Sequence, residues 1–159
     1  MQKKKKSGVM SVQEKKILSS IPLKRLPYSI QQKVSWSDLD AFAHVNHTKY
    51  PVYFENARTE FFSERDVWNT QQIAPTGPVV HELAVQFRSQ VRFPATLEVT
   101  IGISKLGSRK FEMICTMWNE NDCVCTAHGE FLWIHFERGI PVRLPARLID
   151  ALKPFAVDF

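Results

Sequence analysis

The stretch TKYPVYFENARTEFFSERD, residues 48–66, gives way downstream to VVHELAVQF, residues 79–87. In the first, Tyr50, Phe54, Ala57 and Phe61 recur at i, i+4, i+7 and i+11, a single apolar stripe on a 3.6-residue helix, while Glu55, Arg58, Thr59 and Arg65 fall off it. Pro51 is compatible with that helix because first-turn N–H groups have no intrahelical acceptor. Asn46 and Thr48 are both suitable N-cap types. In the second stretch the period is two: Val79, His81, Leu83, Val85 and Phe87 fall on one face of a strand. The turn between them, Ala74-Pro75-Thr76-Gly77-Pro78, carries the change of period, so one long helix leads into a sheet.

Downstream the period stays at two. Leu97, Val99, Ile101 and Ile103 form the next face, Leu106-Gly107-Ser108 a turn, and Phe111, Met113, Cys115 and Met117 a third face. Asn119-Glu120-Asn121-Asp122 reads as a four-residue hairpin loop. The strand from Cys123 to about Glu137 is apolar on both faces, as in a strand covered on both sides. A short helix over Ala146 to Leu152 follows Pro145. Upstream, Val34 and Trp36 alternate with Lys33 and Ser35 as a short strand. One strand, one helix and four strands in an antiparallel meander make an α+β domain in which a twisted sheet wraps the single apolar helix.

A chain of 159 residues, 44% apolar, suffices for one well-buried domain and is too short for two ordinary ones. The formal charge of +5 suggests a nucleic-acid or membrane-surface partner at first sight. Its distribution argues otherwise. Residues 1–30 hold eight Lys and Arg against Glu14 alone, whereas residues 31–159 hold 13 basic and 15 acidic side chains. The expected organisation is therefore a flexible basic leader, 1–30, including the solvated run Lys3 to Lys6, and a slightly acidic domain, 31–159. Eleven Phe, four Trp and three Tyr exclude a disordered chain, and no run approaches the ~20 apolar residues of a spanning helix. The basic start lacks the apolar core of a secretory signal. Three cysteines, Cys115, Cys123 and Cys125, cannot all pair within one chain; buried thiols in the reducing cytoplasm are the expected setting.

The densest polar cluster is Ser37-Asp38-Leu39-Asp40-Ala41-Phe42-Ala43-His44-Val45-Asn46-His47, between a strand and the start of the main helix. The first N–H groups of a helix are unpaired and carry about half a positive charge, so they can polarise a carbonyl. A carboxylate beside them can serve as nucleophile or general base. The same residue types also cap turns and helices, and residue types by themselves favour that structural role.

The pattern Asp38-x-Asp40-(x)3-His44-Val45-Asn46-(x)3-Tyr50, then Phe54-Glu55-x-x-Arg58, resembles the 4-hydroxybenzoyl-CoA thioesterase-like family of hotdog-fold acyl-CoA thioesterases. The resemblance runs from about Gln31 to Leu152 and includes Arg92-Phe93-Pro94 and Leu144-Pro145. It implies a hotdog fold and hydrolysis of a thioester to a free acid and CoA, with acyl-carrier protein as an alternative carrier. It implies Asp40 as the catalytic carboxylate and the backbone N–H of His47 as the group that polarises the thioester oxygen. Asp38, His44 and Asn46 would hold the loop in shape, and Tyr50, Phe54 and Glu55 would line the acyl pocket or the subunit interface. It also implies a homodimer or homotetramer, with dimerisation extending the sheet. Many relatives carry Gly where this chain has Ala43 and Asn where it has His47; an alanine pays a conformational cost at positive φ.

Other constellations are weaker. His44 and His47 lack the further ligands a metal site requires, and no metal or organic cofactor is expected. Cys123-x-Cys125 lacks the two-residue spacing of zinc turns. Arg88, Arg92, Arg109 and Lys110 are candidates for the phosphates of CoA, although solvated strand ends look alike. The alternative to an enzyme is a non-catalytic hotdog module that binds acyl-CoA or a partner, its basic arm touching nucleic acid; no nucleic acid is expected for the thioesterase itself. A dehydratase is disfavoured because the helix lacks the His-containing motif those enzymes use.

Overall fold

The structure, a computed structural model, describes residues 12–67 and 73–158. The lysine run Lys3 to Lys6 lies outside them. In chain order the elements are α1 (Val12–Ser20), β1 (Tyr28–Lys33), α2 (Lys49–Glu64), β2 (Thr76–Phe87), β3 (Thr96–Leu106), β4 (Lys110–Asn119), β5 (Asp122–His135), β6 (Ile140–Pro141) and α3 (Ala146–Leu152). All strand pairs are antiparallel, in the order β1-β3-β4-β5-β2, with β6 on the end of β5. No helix among the described residues is long and apolar enough to cross a membrane.

The sheet wraps α2. Tyr50, Phe54, Ala57 and Phe61, the expected stripe, are all buried, joined by Tyr53 and Phe62. Against them lie the inward rows of β3 (Leu97, Val99, Ile101, Ile103) and β4 (Phe111, Met113, Cys115, Met117), in one core cluster. The rings interlock: Phe61 meets Tyr28 edge to face at 5.1 Å, and Phe111 stacks on Phe131 at 5.2 Å. Arrangements of this kind add to the hydrophobic gain of burying large rings.

Three expectations are corrected. The four long strands do not form a simple meander: β3, β4 and β5 do, but β2 pairs with β5 and leaves the end of the β3 row to β1. Neighbouring hairpins are the default for antiparallel strands, yet the chain leaves β2 at Phe87 and re-enters the sheet only at Thr96, so the sheet can close around both sides of α2. The hairpin loop after β4 is two residues, Glu120 and Asn121, because Asn119 and Asp122 are themselves paired and Glu120 takes φ +54°. In β2 the alternation breaks at a bulge between Val80 and Glu82. One extra residue reverses every later side chain, so Val80, Leu83, Val85 and Phe87 share the inner face while Val79 points outward and His81 bonds Glu130 on the outer side.

The first strand is also upstream of its expected place. Trp36 sits in a 3-10 turn, and the strand is Tyr28–Lys33, with Tyr28 and Ile30 buried. The boundary expected between residues 30 and 31 thus falls inside β1. Before it, Leu18, Ile21 and Leu26 are buried with Ile114 on the outer face of the sheet. Leu26 N–H donates to Thr100 Oγ1, Thr116 Oγ1 donates to the Lys24 carbonyl, and Arg25 pairs with Glu98 and lies over the Trp118 ring. This segment explains the double-sided burial of β5: Val124, Thr126 and His128 face outward and are buried nonetheless.

Candidate active site

Between β1 and α2 the chain makes a tight loop whose geometry is set by its own polar groups. Leu39 and Val45 form an antiparallel bridge, Asp40 N–H donates to the His44 carbonyl at 2.8 Å, and Ala43 N–H donates to the Asp40 carbonyl at 3.1 Å. Turning so sharply puts Ala43 at φ +60°, a conformation with a steric cost for any residue bearing a Cβ. Two further bonds fix the loop in the molecule: Val45 N–H to the Val91 carbonyl and Asn46 N–H to the Asp38 carbonyl, both 2.8 Å.

The two aspartates of the cluster are held very differently. Asp38 is 9% exposed. Its Oδ2 accepts from Ser35 N–H at 2.9 Å and from the Tyr53 hydroxyl at 2.7 Å, and Lys49 Nζ lies 3.2 Å from Oδ1. Burial by itself would push its carboxyl up, but these donors and the lysine charge outweigh that and hold it below the usual carboxylate range. The same pair, after the effect of burial, pushes the Tyr53 phenol up. Both carboxylate oxygens of Asp38 are therefore engaged. Asp40 is different: Oδ1 accepts from Phe42 N–H at 2.8 Å and His44 N–H at 3.3 Å, whereas Oδ2 receives no donor among the described residues.

Asp40 lines a cavity of about 510 Å³ with Phe42, His44, Val45, His47 and Tyr50 from its own loop and helix, and Phe87, Ser89 and Gln90 from the end of β2 and beyond. Asn46 shapes the helix start by accepting from both the backbone N–H and the hydroxyl of Thr48. His47 stands just before α2; its backbone N–H has no acceptor among the described residues, and its ring meets Phe87 edge to face at 6.2 Å. Tyr50 is buried beneath the cavity against Phe87, and burial pushes its phenol up to about 12. A carboxylate oxygen without a partner, next to helix-start N–H groups and an aromatic-walled cavity of this size, has the makings of a site for attack on a polarised carbonyl.

The structure brings Asp40, His44, His47 and Tyr50 to this cavity and keeps Asp38 and Asn46 in the framework around it. It does not bring the other candidates there. Phe54 is packed in the core against Phe131, and Glu55 is exposed farther along α2. Arg58 lies over the Phe131 ring at 4.4 Å, and burial lowers its pKa. Arg88 begins the crossover after β2 and bonds Gln86. Arg109 and Lys110 stand at the start of β4, seven residues from the Met117 row that abuts the site, or roughly 23 Å along the strand. Lys110 there pairs with Glu130. Phe42, Phe87, Ser89 and Gln90 went unseen in the sequence. Phe42 belongs to the Asp40 cluster itself, whereas Phe87, Ser89 and Gln90 come from a segment distant in sequence, joined to it by the Val45–Val91 bond and by the contacts of Phe87 with His47 and Tyr50.

A family model described as the thioesterase-like superfamily matches residues 34–152 of this chain. No curated protein sequence matches it. Among solved structures, the PA5185 protein of Pseudomonas aeruginosa strain PAO1 is 20% identical with a TM-score of 0.78, over 83% of this chain and 93% of that one. The PA2801 protein of Pseudomonas aeruginosa is 25% identical with a TM-score of 0.74, over 80% and 98%. Slr0204, a 1,4-dihydroxy-2-naphthoyl-CoA thioesterase from Synechocystis, is 14% identical with a TM-score of 0.73, over 79% and 95%. The sheet curled around α2 is the hotdog arrangement that the loop motif implied.

Proposed function

The chain belongs to the thioesterase-like superfamily, and from that premise we propose that it hydrolyses an acyl-CoA thioester with Asp40 as the catalytic carboxylate. The observation that carries the reading is the contrast between the two aspartates: both oxygens of Asp38 are engaged by donors, while Asp40, which lines the cavity, is anchored through Oδ1 and has an Oδ2 without a donor among the described residues. The thioester carbonyl lies in the cavity with its oxygen toward the His47 N–H, where a fixed dipole stabilises the charge that develops on addition.

Acting as general base, Oδ2 takes a proton from water as the hydroxyl adds to the carbonyl carbon. The tetrahedral intermediate then collapses, the C–S bond breaks, and the departing thiolate takes the proton back, leaving carboxylic acid and CoA thiol. Acting as nucleophile, Oδ2 adds to the carbon itself, the thiolate leaves, and water hydrolyses the resulting anhydride. Single turnover in heavy-oxygen water bears on the routes: label in the Asp40 carboxyl arises only by the second, when water attacks Cγ of the anhydride, whereas attack at the acyl carbon labels the product acid. Neither route draws on a metal or organic cofactor.

The reading includes a second copy of the chain. The outer side of β2 has no strand beside it among the described residues, and Val79, Val80, Leu83 and Phe87 along it are 41–50% exposed. An open edge of this length is normally covered, and pairing β2 with β2 of a second copy would continue the sheet. The free, buried thiols of Cys115, Cys123 and Cys125 favour a reducing compartment such as the cytoplasm.

The test is thiol release from short-chain, long-chain and aromatic acyl-CoAs and from an acyl-carrier-protein thioester. Asp40→Asn should lower kcat by about 100-fold or more, while His47→Ala, which keeps the backbone donor, should stay within a few-fold of the parent. If no substrate is cleaved, or Asp40→Asn keeps the full rate, the assignment fails. The alternative, a binding module without catalysis, predicts tight CoA association with no thiol release from any of them.

A further inference from the structure

At the same end of the sheet a second cavity, of about 550 Å³, is lined by Lys33, Val34, Phe93, Ala95, Asn119 and Glu120, among others. Phe93 is also half of an exposed aromatic pair: Trp36 is 72% exposed and Phe93 43%, and their rings meet edge to face with centroids 5.7 Å apart. A tryptophan held in a defined turn with most of its ring in water forgoes the gain such a side chain makes on burial. The fold does not use that face.

The surrounding charge points to what would use it. Two cations on this part of the surface are paired with carboxylates, Arg25 with Glu98 and Lys49 with Asp38, and Arg88 bonds the neutral Gln86 amide. Lys33 and Arg92 are exposed and have no ion pair or side-chain hydrogen bond among the described residues. Asn119 and Glu120 line the same cavity as Lys33 and Phe93. A pair of exposed aromatic rings set at right angles, with free cations on the same face and polar residues lining the cavity, matches a nucleotide whose base carries an amino group.

The position relative to Asp40 fits as well. Trp36 is four residues from Asp40 and Phe93 three from Gln90, so the Cα separations are at most about 14 Å and about 11 Å. The Val45 N–H to Val91 carbonyl bond ties these two connecting segments together. An extended pantetheine arm is long enough to cover either span.

We propose that the exposed Trp36–Phe93 pair receives the adenine of the CoA carrier, the base stacking on one ring against the edge of the other, with Lys33 and Arg92 beside its phosphates. The proposal rests on the acyl-CoA reading above and goes beyond it by locating the nucleotide. Stacking on aromatic side chains supplies the affinity, the two cations hold the phosphates, and the pantetheine arm runs along the 36–40 and 90–93 segments toward the Asp40 cavity.

Calorimetric titration of the full chain with CoA, with pantetheine and with adenosine 3′,5′-bisphosphate tests this, comparing the parent with Trp36→Ala and Lys33→Ala. Trp36→Ala should weaken CoA and the bisphosphate about fivefold or more and leave pantetheine unchanged. Lys33→Ala should weaken both nucleotides and reduce the salt dependence of their binding. Equal CoA affinity in the parent and Trp36→Ala overturns the proposal, as does a parent that binds no CoA. A shift from dimer to monomer on Trp36→Ala, seen by sedimentation, also overturns it, because the pair then belongs to a contact between copies. Thiol release separates this proposal from the function it rests on. Hydrolysis with the same KM in Trp36→Ala removes the adenine site and leaves the thioesterase; CoA binding that depends on Trp36 without any hydrolysis does the reverse.

Discussion

The Tyr53 hydroxyl donates a 2.7 Å hydrogen bond to Asp38 Oδ2, joining the second turn of α2 to the turn that precedes the Asp40 loop. Asp38 in turn passes its backbone carbonyl to Asn46 N–H, at the start of the same helix. The loop is thereby closed on α2 at both ends, and its shape depends on a charged carboxylate that is nearly out of water.

Tyr53→Phe should therefore cost more than an ordinary hydrogen bond, because it leaves a buried carboxylate short of one donor. We expect about 1.5–3 kcal/mol, read by thermal or urea unfolding. The pH dependence has a definite sign. The folded-state pKa of Asp38 lies below its ordinary value of 3.8, so the stability from its donors is fully present above that value and is lost as pH falls through the folded pKa. Glu130, lowered below 4.5 by Lys110 and His81 against the opposing effect of burial, adds in the same direction. The melting temperature should drop on acidification below about pH 4.5, and Asp38→Asn should flatten that slope.

Ala43 holds a positive φ of 60° in the loop that carries Asp40. Ala43→Gly should relieve a conformational cost of roughly 1 kcal/mol, partly offset by the greater freedom of glycine in the unfolded chain. A net stabilisation of up to about 1 kcal/mol in denaturant unfolding is expected; a destabilisation would mean that the Ala43 methyl makes contacts that outweigh its strain.

Leu18 and Ile21 cover the outer face of the sheet over Ile114. Leu18→Ala or Ile21→Ala should each cost about 2–5 kcal/mol if the site relaxes as cores do. Removal of residues 1–27 should expose Thr100, Ile114 and Thr116 and produce an aggregating or strongly destabilised protein, measured by melting and light scattering.

Leu83 lies in the exposed edge strand, with 42% of its surface in water. Leu83→Arg should leave the fold intact and convert the proposed dimer to monomer in sedimentation equilibrium, since a desolvated, unpaired charge would stand in the interface. A dimer that survives the change places the contact elsewhere.

The helix and most strands were legible because burial imposes a period on them: the Tyr50, Phe54, Ala57, Phe61 stripe and the inward rows of β3 and β4 appear in the structure as they do in the sequence. The Asp40 cluster was legible as a dense polar run at a helix start. Three features were not. The bulge in β2 reverses the face of every later residue at the cost of one inserted position, which no period can reveal. Pairing of β2 with β5 rather than β3 is decided by closure of the sheet around α2, a property of the whole molecule. And residues 18–27, read as a leader from their charge, are held by three apolar side chains and a few bonds to Thr100 and Thr116, a signal too sparse for any window.

The sequence alone thus determined the class of fold and the loop that carries the candidate carboxylate, because both depend on local pattern and residue type. The tertiary structure decided which aspartate has both oxygens engaged and which has one without a donor among the described residues, and which distant residues wall the cavity beside it. Those depend on hydrogen bonds and contacts between segments that only folding brings together, Tyr53 with Asp38 and Val45 with Val91 among them.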